Sequence, residues 1–417
     1  MRPTVTVNDV TVNTPIMRVC VIGAGAAGLC CAYNLRRAFI KYVVFEQTDQ
    51  PGGTWVYNEQ ADNSVHSSMY RDLRTNLPVE IMGYPGHPFP EEGPSFVHHS
   101  TVKKYLDDFY KNQVEPYGNI KHNTKVVAVR RALNDSHWEV DVVEATGDKR
   151  TESFTHIMVC NGKYTVPRLP DVPGLETFTG TIEHSHGYRT PEKYVGKRVL
   201  IVGGGFSGTD IAQEISSVAK ECFLSHGLKA PLKLPNVTEK SLLKRVSRDR
   251  MHFASGDILS GLDCLLFCTG YKISAPFLND LVNVDDGYRV RDLYRHTILI
   301  TNPTITFIGL PSCIVPFVVF DYQVRLAIEV FTGEMKLPDE TEMRKEVERE
   351  EAKREKAGLC PRKFAHDMRG NLLWDYLQTF VDDGFGQLDP TVKKGYVAVN
   401  EARCKDVVGY RNIKLSL

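Results

Sequence analysis

Two glycine-rich segments with the same spacing contain the residues of this sequence that are best suited to bind phosphate. The first segment consists of Gly23, Ala24, Gly25, Ala26, Ala27 and Gly28. Its glycines permit a tight turn, a close approach of pyrophosphate to the backbone, and close packing of a helix on a strand. Glu46 follows eighteen residues after Gly28, where a carboxylate can accept hydrogen bonds from ribose hydroxyls. The segment therefore predicts a dinucleotide-binding turn.

The second segment has the same glycine spacing but a different residue at the ribose position. Its candidate phosphate contacts are Gly203, Gly205, Ser207, Gly208, Thr209 and Asp210. The residue eighteen positions after Gly208 is His226, and Lys229 follows closely. A carboxylate there would repel a 2′-phosphate, whereas histidine and lysine can donate to it, so we expect NADP rather than NAD. Because its charge repels phosphate, Asp210 is expected to cap or orient its neighbours.

Each glycine segment lies between a short apolar run and a helical pattern. The first unit is a strand, a helix and a strand at Met17–Ile22, Ala26–Phe39 and Lys41–Glu46, and the second repeats this order at Lys197–Val202, Ser207–Ala219 and Glu221–Ser225. Two such units predict an α/β fold with two Rossmann-like dinucleotide-binding domains.

Proline-rich and apolar segments indicate where one domain gives way to the other. Val166–Gly174 contains three prolines, which cannot continue a central strand or helix. Leu265–Tyr271 predicts a strand that leaves the second domain. We therefore expect a disordered leader over 1–16, a first domain formed by 17–165 and 276–417, and a second domain, 166–275, inserted into it. The charged run Glu340–Lys356 predicts a solvated helix.

Composition excludes several other classes of protein. The 417 residues include 51 basic and 51 acidic ones, so neither nucleic acid nor an anionic membrane is an expected partner. The longest apolar stretch, Phe307–Phe320, is too short for a membrane anchor and contains two prolines. Residues 1–16 show no secretory signal, which predicts a soluble cytoplasmic protein unless a signal peptide precedes this sequence. The ten cysteines lack disulfide or metal-ligand spacing, and Cys264 and Cys268 are expected in the core.

A fingerprint between the two glycine segments resembles that of the flavin-containing monooxygenases. Phe178, Gly180, His184 and Tyr188 match the FxGxxxHxxxY/F pattern of that family. Further matches are Gly52–Trp55, Thr75–Asn76, Gly205–Asp210 and Phe267–Tyr271. Baeyer–Villiger monooxygenases usually have Trp at the position of Tyr188, and disulfide reductases have paired cysteines that are missing after Glu46. The short length and the Asp321–Arg325 segment look more like the soluble insect members of the family.

The resemblance implies a reaction that uses FAD at the first turn and NADPH at the second. In the family, NADPH reduces FAD, O2 adds at the flavin C4a, and the distal oxygen atom passes to a soft nucleophile, so no catalytic metal is expected. The resemblance makes Asn76 the catalytic candidate, because a neutral amide can donate a hydrogen bond without acting as a base. The other implied flavin contacts are Gly53, Thr54, Trp55, Thr75, Val126 and Gln323. His184 and Tyr188 are expected to position the domain linker and the nicotinamide.

Several functions stay open at this point. The leading expectation is N- or S-oxygenation of a small nucleophile, including tertiary amines such as pyrrolizidine alkaloids. The alternatives are a Baeyer–Villiger monooxygenase, an uncoupled NADPH oxidase, and a redox-sensing nucleotide-binding protein without catalysis. The sequence also leaves open whether the protein is a monomer or a homo-oligomer.

Overall fold

A computed structural model describes residues 16–60, 66–133 and 137–415. Apart from Ile16, the expected leader therefore lies outside the described residues. The predicted fold class is confirmed: the chain forms two separate, mainly parallel sheets, and each contains a strand that is followed by a glycine turn and a helix.

The strands, numbered along the chain, are β1 (Arg18–Ile22), β2 (Lys41–Phe45), β3 (Ile120–Lys121), β4 (Thr124–Arg131), β5 (Trp138–Glu144), β6 (Lys149–Phe154), β7 (His156–Val159), β8 (Val166–Pro167), β9 (Thr181–His184), β10 (Arg198–Val202), β11 (Glu221–Ser225), β12 (Val237–Lys240), β13 (Leu243–Ser247), β14 (Arg250–Phe253), β15 (Ile258–Ser260), β16 (Cys264–Phe267), β17 (Tyr271–Lys272), β18 (Val284–Asp285), β19 (Arg289–Val290), β20 (Leu293–Tyr294), β21 (Ile298–Leu299) and β22 (Ile305–Phe307). The helices are α1 (Ala26–Arg37), α2 (Val79–Met82), α3 (His99–Phe109), α4 (Phe206–Ser216), α5 (Pro316–Thr332), α6 (Glu340–Lys356), α7 (Leu372–Asp382) and α8 (Pro390–Lys405).

The first sheet joins the two ends of the chain. Its seven strands follow the order β20, β21, β22, β7, β1, β2 and β3, and the five strands from β22 to β3 are parallel. The central strands are almost continuously apolar, as expected where both faces of a parallel sheet are covered. Helix α1 packs on α5, where Asn34 donates to Asp321 over 3.1 Å. A three-stranded antiparallel sheet of β4, β5 and β6 lies next to this sheet. The two are linked where Thr124 N donates to Glu46 O over 2.8 Å.

The second sheet is built entirely from the middle of the chain. Its order is β12, β11, β10, β16 and β9, and all neighbouring pairs are parallel. Cys264 and Cys268 are buried in its hydrophobic core, which confirms their predicted structural role. The antiparallel strands β13, β14 and β15 form a separate three-stranded sheet.

The two segments that connect the sheets pair with each other. Strand β8 lies in the proline-rich segment, and it forms an antiparallel pair with β17, just after β16. The Arg168 guanidinium reinforces this crossing by donating to Tyr271 O (2.9 Å) and Gly287 O (2.7 Å). The passage into the second sheet and the passage out of it are therefore tied together.

The charged helix α6 has the predicted bounds but is more than a solvated surface helix. Arg354 is only 2% exposed, and its guanidinium lies 3.1 Å from His296 Nε2. Glu350 Oε2 lies 2.9 Å from the same ring nitrogen. The predicted helix is thus confirmed and mostly solvent-facing, and one face of it meets a buried polar cluster that charge patterning alone does not reveal.

Candidate functional site

The first glycine turn is shaped by two glycines that no other residue could replace without a shift of backbone. Gly23 has φ +101°, and an added Cβ would lie 2.7 Å from Cys160 O. An added Cβ on Gly28 would lie 1.9 Å from Gly23 O, so α1 begins directly against the end of β1. Gly25 is different, since its nearest neighbour would be Gly53 Cα at 3.6 Å. Space is thus left at the N-terminus of α1, where backbone N–H groups attract an anion.

The alanines of this turn are buried or half-buried, and a carboxylate from the end of β2 contacts the turn. Ala24 and Ala26 are buried and Ala27 is half-buried. Glu46 is 6% exposed, and its Oε2 accepts from Ala24 N over 2.7 Å. Its Oε1 accepts from the N and Oγ1 of Thr48 (2.9 and 2.8 Å). Because a carboxylate offers about four acceptor positions, Oε2 keeps one for a ribose hydroxyl, and the turn fits an FAD.

A second loop closes on the first turn. Gly53–Trp55 forms one turn of 3₁₀ helix, and a Cβ on Gly53, whose φ is +55°, would lie 3.0 Å from Gly25 Cα. Thr54 O accepts a hydrogen bond from Ser67 Oγ over 3.0 Å. Trp55 is half-buried and borders an open cavity of about 350 Å³. The structure therefore brings this loop to the helix N-terminus that would meet the flavin nucleotide.

Thr75 and Asn76 occupy a bend before α2. Thr75 is buried and pairs with Val97, its N donating to Val97 O (2.8 Å) and its Oγ1 accepting from Val97 N (3.1 Å). Asn76 is half-buried, and among residues 16–60, 66–133 and 137–415 none shares a hydrogen bond with its amide. An anchored threonine thus holds a neighbouring amide that is available to a ligand.

The remaining two flavin candidates are packed into the structure in different ways. The Val126 side chain is buried on β4, paired with Val142 just before a bulge, in the core beside the first sheet. Gln323 on α5 is fully buried: its Oε1 accepts from Gly309 N and its Nε2 donates to Tyr376 OH, both over 2.9 Å. Gln323 therefore shapes the turn after β22.

The second glycine turn repeats the geometry of the first. Gly203 has φ +122°, and an added Cβ would lie 2.4 Å from Cys268 O. A Cβ on Gly208 would lie 1.7 Å from Gly203 O, whereas one on Gly205 would meet no described atom within 4 Å. Ser207 is half-buried, and Thr209 Oγ1 donates to helix carbonyls at 3.1 and 2.9 Å. The open space at Gly205 and the N-terminus of α4 fit the pyrophosphate of a second dinucleotide.

The ribose end of this second turn contains a carboxylate that the sequence reading missed. His226 is buried, its Nδ1 accepts from Leu228 N (3.2 Å), and its Nε2 lies 2.7 Å from Glu239 Oε2. Glu239 also accepts from Leu232 N (2.9 Å) and from a neighbouring backbone N–H. The His226 ring is thus committed to Glu239 on β12, while Lys229 and Lys233 nearby in the sequence are exposed cations.

Asp210 is neutralised by a residue from the far end of the chain. Both its oxygens accept from the Arg411 guanidinium at 2.8 Å, and Tyr70 OH donates to Oδ2 over 3.0 Å. No local sequence pattern connects Asp210 with Arg411, since they are about two hundred residues apart.

The fingerprint residues hold the crossing between the sheets. A Cβ on Gly180 would lie 2.6 Å from Asp263 O. His184 Nδ1 accepts from His186 N (3.1 Å), so Nε2 carries the hydrogen and donates to Gly270 O (3.0 Å). Burial lowers the pKa of His184 to about 4, which keeps the ring neutral. The histidine therefore fixes the chain where β16 leaves the second sheet.

Tyr188 and Arg189 extend this anchoring towards the flavin loop. Tyr188 is fully buried and its OH donates to Glu214 Oε2 over 2.5 Å. Burial raises the pKa of Glu214 to about 7, although the Tyr188 hydrogen bond opposes the shift. Arg189, also buried, donates to Asn58 O (2.6 Å) and Ser67 O (3.0 Å). Arg189 thus joins the fingerprint to the loop that follows Trp55.

These features, a glycine turn at the start of a helix on each of two sheets, fit the class of proteins that bind two dinucleotides. The sequence model of the flavin-binding monooxygenase-like family matches residues 16–231 and 228–382. Flavin-containing monooxygenase FMO GS-OX5 of Arabidopsis thaliana is 36% identical over 389 residues, covering 87% of this chain and 83% of that protein.

Solved structures agree with this match. S-allyl-L-cysteine S-oxygenase from Allium sativum has 31% identity and a TM-score of 0.87, with 95% of both chains covered. Tmm from Pelagibacter sp. strain HTCC7211 shares the fold, with a TM-score of 0.81 at 24% identity over 96% of this chain and 94% of that one. The chain belongs to the flavin-binding monooxygenase-like family.

Family membership confirms the predicted class of enzyme and its cofactors. The protein is a monooxygenase that uses FAD, NADPH and O2 and oxygenates a small molecule at nitrogen or sulfur. Within the part of the chain that the structure describes, no helix is both long and apolar enough to cross a membrane.

Proposed function

We propose that this enzyme oxygenates the sulfur atom of a small sulfide. The observation that carries this proposal is the similarity to the Allium S-allyl-L-cysteine S-oxygenase, which extends over 95% of both chains. N-oxygenation of tertiary amines, such as pyrrolizidine alkaloids, is the second candidate, because a nitrogen lone pair can accept the same oxygen atom. The Asp321–Arg325 segment does not favour the alkaloid, since these two residues form an ion pair of 2.8 Å on α5.

In this proposal the first domain, 17–165 and 276–417, binds FAD, and the second, 166–275, binds NADPH. FAD would lie along Gly23, Ala24, Gly25, Ala26, Ala27, Gly28, Glu46, Gly53, Thr54, Trp55, Thr75, Asn76 and Val126. Gln323 would support this site indirectly, because both ends of its amide are already bonded within the protein. NADPH would lie along Gly203, Gly205, Ser207, Gly208 and Thr209, with Lys229 at the 2′-phosphate. His226 and Asp210 would support these contacts indirectly, because their polar groups are already paired with Glu239 and Arg411.

We assign Asn76 the role of hydrogen-bond donor to the oxygen that is transferred. When bound, FAD carries the electrons of NADPH to O2. A neutral amide can hold the reacting oxygen without removing a proton, which an aspartate at the same place would do. The anchored Thr75 fixes the start of the bend, and the neighbouring Leu77-Pro78 restricts its continuation.

The test is a product analysis with a matched set of nucleophiles. The purified protein is given NADPH and O2 with S-allyl-L-cysteine, a tertiary amine or a cyclic ketone, and product, NADPH and hydrogen peroxide are all quantified. We expect sulfoxide in proportion to the NADPH consumed. N-oxide without sulfoxide would favour the second candidate, an ester from the ketone would indicate Baeyer–Villiger chemistry, and peroxide alone would indicate an oxidase.

A further inference from the structure

Arg411, near the end of the described chain, contacts both domains at once. Its NH1 and NH2 donate to the two oxygens of Asp210 at 2.8 Å, and Asp210 lies in α4, the helix that begins at the second glycine turn. Its Nε donates to Thr75 O over 2.9 Å. One guanidinium therefore joins the NADPH helix to the peptide that precedes Asn76.

The arrangement is buried and specific for arginine. The side chains of Arg411 and Asp210 are only 13% and 12% exposed. A planar guanidinium can satisfy a carboxylate with two nitrogens and a carbonyl with the third, whereas a lysine ammonium is a single point charge. Tyr70 OH gives Asp210 a third donor, at 3.0 Å from Oδ2. The carboxylate is thus held from both the C-terminal segment and the loop that leads to Asn76.

The segment that carries Arg411 is itself fixed. Arg74 NH2 donates to Arg411 O over 2.7 Å, and Leu415 N donates to Ser95 Oγ over 2.9 Å. The ring of Tyr410 packs edge-on against Phe96 with centroids 5.4 Å apart. Arg411 is therefore presented to Asp210 and Thr75 by an ordered support.

We propose that Arg411 is a positioning residue for oxygenation, which couples the NADPH domain to the orientation of Asn76. Thr75 C=O and Asn76 N belong to one planar peptide unit. A hydrogen bond to this carbonyl therefore fixes the orientation of the peptide plane that leads into Asn76. Asp210 transmits the position of α4 to that same guanidinium. The inference rests on the proposed role of Asn76. It adds that Arg411 sets the orientation of the Asn76 side chain.

The experiment compares Arg411→Lys and Arg411→Met with the wild-type holoenzyme. The main readout is the share of consumed NADPH that ends as hydrogen peroxide rather than oxygenated product. We expect FAD content and the rate of NADPH oxidation to change little, while the product-to-peroxide ratio falls about tenfold or more in both variants, because lysine cannot make the three contacts. Arg369→Met is the matched control, since Arg369 forms a two-point contact with Asp367 (2.6 and 2.9 Å) that joins no domains.

Combining Arg411→Met with a substitution of Asn76 separates a positioning role of Arg411 from a general loss of stability. If Arg411 acts through Asn76, then Arg411→Met should add nothing to the uncoupling of an Asn76 variant that still forms some product, such as Asn76→Ser. Additive uncoupling in the double variant, or a wild-type product-to-peroxide ratio in both Arg411 variants, would overturn the proposal. Asp210→Asn, which keeps the size of the side chain, should lower the product-to-peroxide ratio as the Arg411 variants do and serves if Arg411→Met does not fold.

A measurement that needs no catalysis can test this inference separately from the proposed function. Amide hydrogen exchange of the peptide over 70–79 should accelerate in Arg411→Met with FAD and NADP⁺ bound, and stay unchanged in Arg369→Met. If the wild-type enzyme gave peroxide with every nucleophile, the proposed function would fail, while faster exchange at 70–79 would still support the coupling. Unchanged exchange would refute the coupling whichever substrate proves correct.

Discussion

The two glycines of the second turn should respond to the same substitution in opposite ways. In Gly208→Ala, the new Cβ would lie 1.7 Å from Gly203 O, so the start of α4 has to move by about 1.6 Å to reach an ordinary carbon–oxygen contact. In Gly205→Ala, the new Cβ would meet no described atom within 4 Å, and the backbone φ of −77° suits alanine. The space beside Gly205 is where we place the pyrophosphate of NADPH.

The magnitudes follow from these two environments. Overpacking at Gly208 should lower the free energy of unfolding by about 1–3 kcal/mol. At Gly205, the reduced entropy of the unfolded chain stabilises by roughly 0.4–1 kcal/mol, and the poorer N-cap offsets a similar amount, so the net change should be below about 1 kcal/mol. Each variant should lose at least one charge-assisted hydrogen bond to phosphate, which weakens NADP⁺ binding by about tenfold or more.

Urea unfolding and calorimetric titration with NADP⁺ measure the two quantities separately, and flavin absorbance reports the FAD content. We expect both variants to retain FAD, Gly205→Ala to lose only NADP⁺ affinity, and Gly208→Ala to lose both affinity and stability. Wild-type NADP⁺ affinity in Gly205→Ala would show that the pyrophosphate does not pass this turn. Wild-type stability in Gly208→Ala would show that the packing argument is wrong.

Three further predictions concern the bend, the ribose end and the fingerprint. Asn76→Asp should retain FAD but release hydrogen peroxide instead of oxygenated product, whereas the exposed Asn400→Asp should not; full coupling in Asn76→Asp would remove this amide from the mechanism. Lys229→Glu should weaken NADPH several-fold relative to NADH in a steady-state KM comparison, and equal weakening of both would place the 2′-phosphate elsewhere. Burial raises the pKa of Glu214 to about 7, so its ionisation opposes folding as pH rises from about 4.5 to 7. Between pH 5 and 8, the free energy of unfolding of the wild type should therefore fall by about 2–3 kcal/mol more than that of Glu214→Gln in urea titrations, and parallel curves would contradict the assignment.

The local elements of both dinucleotide units could be predicted because their signals are short-range. Apolar runs and glycine turns located β1, α1, β2, β10 and β11 to within about two residues at most boundaries. The helix α4 was expected over Ser207–Ala219 and is observed over Phe206–Ser216, because capping and fraying decide helix ends. The order of the strands in the first sheet, which takes β20, β21 and β22 from the second half of the chain, does not follow from periodicity.

The site was less predictable wherever a polar group finds its partner at long range. Sequence proximity suggested that His226 faces phosphate, but strand β12 places Glu239 against its ring. Asp210 was recognised as an unusual phosphate neighbour, yet nothing nearby in the sequence indicated Arg411. Gln323 was chosen by resemblance, and its bonds to a backbone N–H and a tyrosine arise only from tertiary packing. Such pairings depend on the folded topology and not on spacing.

The first sheet is built from strands that are far apart in the sequence, and this limits the order in which the two sheets can fold. Ile305 on β22 pairs with Ile157 on β7, so the strands made last complete the sheet that was started first. All five strands of the second sheet lie between Thr181 and Phe267, so they are synthesised before β22. Domains generally fold as units during synthesis. The second sheet can therefore form while the first sheet still lacks β20, β21 and β22. The first sheet, on which we propose that FAD binds, is therefore complete only after every strand of the second sheet has been synthesised.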